Sequence, residues 1–176
     1  MNTANKLTLC RVVMIPIFLV LLYVEFTGHL WAAVVVFILA SITDFVDGYV
    51  ARHYNQVTDF GKFMDPLADK LLVMSAMVWF VEVGWMPAWA FFIVIARELA
   101  VTGLRLIAVE QGRVIAAGKS GKVKTASTMV GIILMLAFPG VEILRLVCVV
   151  IILVTTVYSG IEYFAKNRDV LANGTH

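Results

Sequence analysis

Charged residues are scarce in this sequence. Aspartate, glutamate, lysine and arginine together make up 15% of the 176 residues, whereas an average soluble domain has about 25%. The apolar fraction is 61%, and the mean hydropathy is +0.93. These values favour a membrane protein over a soluble domain. The net charge of +2 is too small to argue for a nucleic-acid partner, and none is expected.

Cysteine is also rare. Cys10 and Cys148 lie inside apolar runs without metal-ligand spacing, so we interpret both as small buried hydrophobic residues rather than a disulfide or redox pair. No small-residue cleavage site follows the apolar run of residues 12–24. We therefore interpret this run as a retained span and not as a signal peptide.

Long apolar segments indicate six transmembrane helices, because a helix needs about 20 apolar residues to cross the hydrocarbon core. They cover roughly residues 7–26, 30–50, 63–83, 86–107, 125–138 and 143–164. The fifth segment is short and needs residues from the preceding polar stretch to reach across. Tight Gly- or Pro-marked turns join three pairs of segments. We predict an all-α, polytopic membrane protein: one domain, residues 1–176, folded as a compact bundle of six transmembrane helices.

The distribution of lysine and arginine predicts the orientation of the bundle. With six alternating spans, nine basic residues fall on one side, and the three short connections on the other side contain none. The nine are Lys6, Arg52, Lys62, Arg113, Lys119, Lys122, Lys124, Lys166 and Arg168. Basic loops stay in the cytoplasm, so both termini are expected there. Trp31, Trp85 and Trp89 are expected in an interfacial belt near the external ends of their spans.

Four aspartates stand out against this apolar background. Asp44 and Asp47 are three residues apart near the cytoplasmic end of the second span, and Asp65 and Asp69 are four apart at the start of the third. Either spacing puts both carboxylates on one helix face. We place Pro66 in the first helical turn, where its missing N–H is tolerated. Carboxylates beside a membrane core are costly unless they are paired or hold metal, and oxygen ligands favour Mg²⁺ or Mn²⁺.

The same residues carry a resemblance to a known family. Residues 44–52 read DFVDGYVAR and residues 61–69 read GKFMDPLAD, which is similar to the signature of the CDP-alcohol phosphatidyltransferases. Residues 5–11 (NKLTLCR), 96–105 (ARELAVTGLR) and 117–125 (AGKSGKVKT) resemble its bacterial phosphatidylglycerophosphate synthase branch. That resemblance implies transfer of the phosphatidyl group from CDP-diacylglycerol to sn-glycerol 3-phosphate, with release of CMP.

The resemblance also implies roles for individual residues. Asp44, Asp47 and Asp65 would hold two divalent metal ions, and Asp69 would help to hold one and act as the general base. The cytidine diphosphate site would be lined by Gly48, Ala51, Arg52 and Gly61. It further implies a homodimer in the cytoplasmic (inner) membrane, with a cavity open to the cytoplasm.

A phosphorylated acceptor is expected to meet cations. Glu98, Thr102 and Arg105 form one stripe of the fourth span, with Arg97 close by. We predict phosphate contacts from five basic residues: Arg105, Lys122, Lys124, Lys62 and Arg97. The alternative is that Glu98 forms a structural ion pair with Arg97 or Arg105, and that the lysines only orient the protein in the membrane.

Three other functions stay open at this point. A sister enzyme could use serine or inositol phosphate as acceptor, because the signature concerns only the CDP side. A small cation transporter could also use clustered carboxylates, although its charges should lie at the bilayer midplane rather than at one rim. A prenyl-transferring enzyme also has Asp-rich metal sites, but its usual aspartate spacing differs.

Overall fold

Seven α-helices make up the regular structure of the described residues, and no strand occurs among them. The computed structural model describes residues 3–53, 59–116 and 118–172, with side chains for residues 8–43, 64, 67–116 and 118–171. The helices are α1 (Thr3–Tyr23), α2 (His29–His53), α3 (Asp59–Glu82), α4 (Ala88–Glu110), α5 (Lys119–Ala137), α6 (Glu142–Lys166) and α7 (Arg168–Ala172).

The all-α prediction is confirmed, and the six long helices correspond to the six predicted segments. As the short fifth segment required, α5 takes in the preceding polar stretch and begins at Lys119. The start of α3 was predicted too late: the helix begins at Asp59, so Pro66 does not lie in its first turn. The five-residue α7 was not predicted.

The helices pack around a large apolar core, and a second, smaller buried cluster lies between α4, α6 and α7. α1 lies against α2 and α3, α5 lies against α6, α2 and α3, and α4 contacts α3, α6 and α7. Phe18 and Phe37, both fully buried, join α1 to α2 with ring centroids 5.6 Å apart, a favourable separation for an aromatic pair. Cys148 is buried as predicted, but Cys10 is exposed, so that interpretation was wrong for Cys10.

The three short connections meet at one end of the bundle. The ring of Trp31, near the start of α2, contacts that of Phe138, just after α5, at 6.4 Å. At the same end, the Arg145 guanidinium lies 5.0 Å from the ring centroid of Trp85 and pairs with Glu142 at 3.5 Å. This end therefore carries a basic residue after all, in the first turns of α6 rather than in a connection.

The outer surface of the bundle is apolar. Leu99 and Leu106 on α4, and Ile143 and Ile161 on α6, are each more than 60% exposed, whereas soluble monomers rarely expose large contiguous apolar patches. Of the described helices, only α6, with mean hydropathy 2.2, is long and apolar enough on its own to cross a membrane. That any of the six long helices crosses a membrane stays a prediction.

Gly131 allows α5 and α6 to approach closely, and this predicts a stability effect. A Cβ at this position would lie 3.0 Å from Cδ1 of Ile152, which is fully buried and has little room to move. We expect Gly131→Ala to lower the free energy of unfolding by about 1–3 kcal/mol, measured by thermal unfolding in detergent. Gly103→Ala, on the open side of α4, is the matched control and should be neutral or slightly stabilising. Equal melting temperatures for the two variants would contradict the close approach.

Candidate active site

A cavity of about 250 Å³ lies between α3, α4 and α5. Charged and hydroxyl side chains alternate with apolar ones on its walls. It is lined by Asp69, Lys70, Val73, Met74, Val94, Arg97, Glu98, Val101, Thr102, Arg105, Gly121, Lys124, Thr125 and Thr128. Of the predicted site residues, the structure thus brings together Asp69, Arg97, Arg105 and Lys124.

The stripe predicted on the fourth span forms one wall of this cavity. Glu98, Thr102 and Arg105 follow one another at helical spacing along α4 and all line the cavity. The Thr102 hydroxyl donates to the carbonyl oxygen of Glu98 at 2.7 Å, which keeps this polar side chain satisfied within the helix. Residues 121, 124, 125 and 128 repeat the same spacing on α5 and form the facing wall.

Glu98 is the centre of an ion-pair cluster. Its Oε1 accepts a hydrogen bond from Arg97 Nη1 at 2.9 Å and another from Lys124 Nζ at 2.5 Å. The Arg97–Glu98 pair that we considered as a structural alternative is therefore present. The other pair that we considered, between the described side chains of Glu98 and Arg105, is not formed. Arg105 instead donates through its Nε to the Tyr163 hydroxyl at 3.0 Å.

The cavity walls carry an excess of positive charge. Four cations (Lys70, Arg97, Arg105 and Lys124) face two carboxylates (Asp69 and Glu98) among the described lining residues. Within the described part of the chain, Arg97 Nε and Thr128 Oγ1 are buried and lack a hydrogen-bond partner. Because an unpaired buried donor is costly, both atoms fit a site completed by an anionic ligand.

Sequence reasoning missed Lys70. This residue follows Asp69 on α3, and its Nζ donates to Thr102 Oγ1 at 2.6 Å, joining α3 to α4 across the cavity. The signal was available, because an ionisable residue inside an apolar segment marks a functional position.

Lys122 is not part of the cavity wall. From the sequence, phosphate contacts were predicted for both Lys122 and Lys124. Since α5 begins at Lys119, Lys122 and Lys124 are two positions apart on a helix and point to different sides. Lys124 is 7% exposed and lines the cavity, whereas Lys122 is exposed.

The side chains of the other predicted site residues lie outside the described residues. They are Asp44, Asp47, Gly48, Ala51 and Arg52 on α2, and Gly61, Lys62 and Asp65 on α3. Both helical spacings hold for the backbone, since each aspartate pair lies within one helix, and α2 packs against α3. Among the described side chains, no three His, Cys, Asp or Glu residues are close enough together to hold a metal ion.

Comparison with known proteins identifies the family. The sequence profile described as CDP-alcohol phosphatidyltransferase matches residues 1–160 of the chain. The chain belongs to the CDP-alcohol phosphatidyltransferase family. The match begins before α1 and ends within α6, so it includes every helix that lines the cavity.

Curated members of the CDP-alcohol phosphatidyltransferase family match nearly the whole chain. A Bacillus subtilis protein named CDP-diacylglycerol–glycerol-3-phosphate 3-phosphatidyltransferase is 42% identical, over 97% of this chain and 97% of its own length. An Escherichia coli K12 protein of the same name is 37% identical, over 95% of each chain. A Mycobacterium tuberculosis protein named probable phosphatidylglycerophosphate synthase is 40% identical, over 96% of this chain and 83% of its own.

Proposed function

We propose that this protein transfers the phosphatidyl group from CDP-diacylglycerol to sn-glycerol 3-phosphate, giving phosphatidylglycerophosphate and CMP. The relatives described above are named for this reaction or its product. The single observation that carries the proposal is the cavity itself, in which Asp69 of α3 faces the same space as the basic side chains of α4 and α5. A carboxylate next to a phosphate-binding wall is what a phosphorylated alcohol acceptor requires.

The chemistry assigned to Asp69 is proton acceptance. The acceptor hydroxyl oxygen forms a bond to the β-phosphorus of CDP-diacylglycerol, the bond to the bridging oxygen breaks, and CMP leaves with the electron pair. Asp69 takes the hydroxyl proton as this bond forms. Arg97, Arg105 and Lys124 hold the acceptor's own phosphate, so the hydroxyl is fixed next to Asp69; such positioning provides much of the catalysis in phosphoryl transfer.

A divalent metal site is part of the proposal. Asp44, Asp47, Asp65 and Asp69 would hold two ions, Mg²⁺ or Mn²⁺, because the donor set consists only of carboxylate oxygens. Bound ions would stabilise the negative charge that develops on the departing CMP. Gly48, Ala51, Arg52 and Gly61 would line the cytidine diphosphate site beside them. Lys62 stays a predicted contact to the acceptor, while the position of Lys122 on α5 argues against its inclusion.

The proposed setting is the cytoplasmic (inner) membrane. The six long helices would span it as a single domain, residues 1–176, with both termini and the cavity on the cytoplasmic side. Two observations support this: the outer faces of α4 and α6 are apolar, and the short connections gather at the end carrying Trp31 and Trp85. The lipid substrate would keep its acyl chains in the bilayer while its headgroup enters the cavity. A homodimer is proposed from the family resemblance.

Acceptor specificity tests the proposed function. Purified protein is incubated with CDP-diacylglycerol, Mg²⁺ or Mn²⁺, and one of three acceptors: glycerol 3-phosphate, serine or inositol phosphate. We expect CMP release with glycerol 3-phosphate, and its loss when the metal is chelated. Turnover of serine alone would overturn the proposal in favour of a sister enzyme. Cation flux in proteoliposomes without CMP release would favour a transporter.

A further inference from the structure

The side chain of Arg105 is held from outside the cavity. Its Nε donates to the Tyr163 hydroxyl at 3.0 Å, and its guanidinium carbon lies 5.5 Å from the centroid of the same ring. Tyr163 belongs to α6, which does not contribute to the cavity lining, and its side chain is 7% exposed. A buried tyrosine therefore fixes a cation that faces the cavity without itself lining it.

Tyr163 is in turn fixed by the C-terminal helix α7. Val170 of α7 is 1% exposed and belongs to one buried apolar cluster with Tyr163 and three residues of α4. Those three are Val101, Leu104 and Ala108. All three lie within about one helical turn of Arg105, so the packing of α7 and the position of Arg105 depend on the same contacts.

Polar contacts hold α7 at both of its sides. Gln111, at the end of α4, donates through Nε2 to the Val170 carbonyl at 3.0 Å, and Arg113 pairs with Asp169. The Arg113 guanidinium lowers the pKa of the Asp169 carboxyl below its ordinary value. At the end of α6, Asn167 is buried, and its Nδ2 donates to the Tyr163 carbonyl at 2.7 Å. The chain after α6 is thus held against α4 and beneath Tyr163.

We propose that Tyr163 is a positioning residue for glycerol 3-phosphate, that it acts by aiming the Arg105 guanidinium into the cavity, and that α7 braces it there. This inference rests on the proposed function. An arginine side chain has many rotamers and loses considerable entropy when it is fixed. A hydrogen bond at Nε leaves the two terminal nitrogens of the guanidinium for a phosphate, which matches its bidentate geometry.

The direct test is Tyr163→Phe, which keeps the ring and its packing and removes only the hydroxyl. We expect the KM for glycerol 3-phosphate to rise about five- to tenfold, with kcat and the KM for CDP-diacylglycerol unchanged. Tyr158→Phe is the matched control, because Tyr158 lies on the same helix but is 64% exposed. A variant that melts earlier but keeps the wild-type KM would show a merely structural role and overturn the proposal.

A double-mutant cycle tests whether Tyr163 acts through Arg105. Arg105→Lys keeps the charge but removes the Nε donor, so adding Tyr163→Phe should raise the KM by less than about twofold. If Tyr163→Phe raised the KM as much in the Arg105→Lys background as it does in the wild-type protein, the coupling would be overturned. If the wild-type protein itself releases no CMP with glycerol 3-phosphate, the proposed function fails; if only the variant effects are missing, this inference alone fails.

The bracing role of α7 has its own pair of variants. Val170→Ala removes buried contacts beneath Tyr163 and should raise the KM for glycerol 3-phosphate about threefold, in the direction of Tyr163→Phe. Leu171→Ala, at the neighbouring half-exposed position, should leave the KM unchanged. Equal effects of the two variants, or none from Val170→Ala, would contradict the bracing.

Discussion

Asp69→Asn is expected to lower the rate of CMP release by about 10²- to 10⁴-fold, the range that a general base contributes. Asp69 lines the cavity beside the basic wall, where it would be next to the hydroxyl of an acceptor whose phosphate is held, as proposed, by α4 and α5. Asparagine has nearly the same shape but cannot take the proton. The measurement is CMP release with saturating glycerol 3-phosphate and CDP-diacylglycerol.

The same substitution could also act through the metal site, so binding is measured alongside turnover. We expect metal-dependent binding of CDP-diacylglycerol to be largely retained, because three other aspartates are predicted to hold the ions. Glu110→Gln is the control for a lost carboxylate, since Glu110 is exposed at the end of α4. Wild-type turnover in Asp69→Asn would exclude this residue as the base, and loss of CDP-lipid binding would assign it mainly to the metals.

Lys124→Ala is expected to raise the KM for glycerol 3-phosphate about 10- to 100-fold, with a much smaller effect on the KM for CDP-diacylglycerol. A charge-assisted contact to phosphate is worth about 1.5–3 kcal/mol, which gives this range. Lys124 is 7% exposed and reaches the cavity from α5. Removing it also leaves Glu98 with Arg97 as its described ion-pair partner, and the less neutralised carboxylate would repel the acceptor further.

Lys122→Ala provides the matched control for this prediction. The two lysines are two positions apart in the sequence and would be equivalent in a flexible loop, but on α5 they point to different sides. We expect Lys122→Ala to leave both Michaelis constants within about twofold of wild type. If Lys122→Ala and Lys124→Ala raised the KM for glycerol 3-phosphate equally, the position of Lys124 on the cavity side of α5 could not explain the phosphate contact.

Much of the architecture could be predicted because hydrophobicity and helix length are strong signals in this chain. All six long helices were expected, and α5 begins at Lys119 as its short apolar segment required. The boundaries were harder: α3 begins at Asp59, before the apolar run that marked it. The short α7 buries Val170, whereas its neighbour Leu171 is half-exposed. One buried apolar side chain is too few to produce a periodic pattern.

The candidate site was predictable where residues follow one helix and not where they meet across helices. The stripe of Glu98, Thr102 and Arg105 was visible as sequence spacing, and the structure places all three on the cavity wall. By contrast, Lys124 reaches Glu98 from 26 positions away, and Tyr163 meets Arg105 from 58 positions away. Contacts of this kind depend on how helices are arranged, which hydrophobic periodicity does not specify.

Glu98 gives the proposed acceptor site a resident counter-ion. Two of the four cations on the wall, Arg97 and Lys124, share this one carboxylate as an ion-pair partner, so a phosphate entering the cavity competes with Glu98 for these two side chains. A dianion can compensate for the displaced carboxylate, whereas a zwitterion such as serine brings no net charge to the exchange. Selection by the charge of the acceptor would then precede any recognition of its alcohol group. In the empty cavity, Glu98 would also spare Arg97 and Lys124 the unfavourable burial of a charge without a counter-ion.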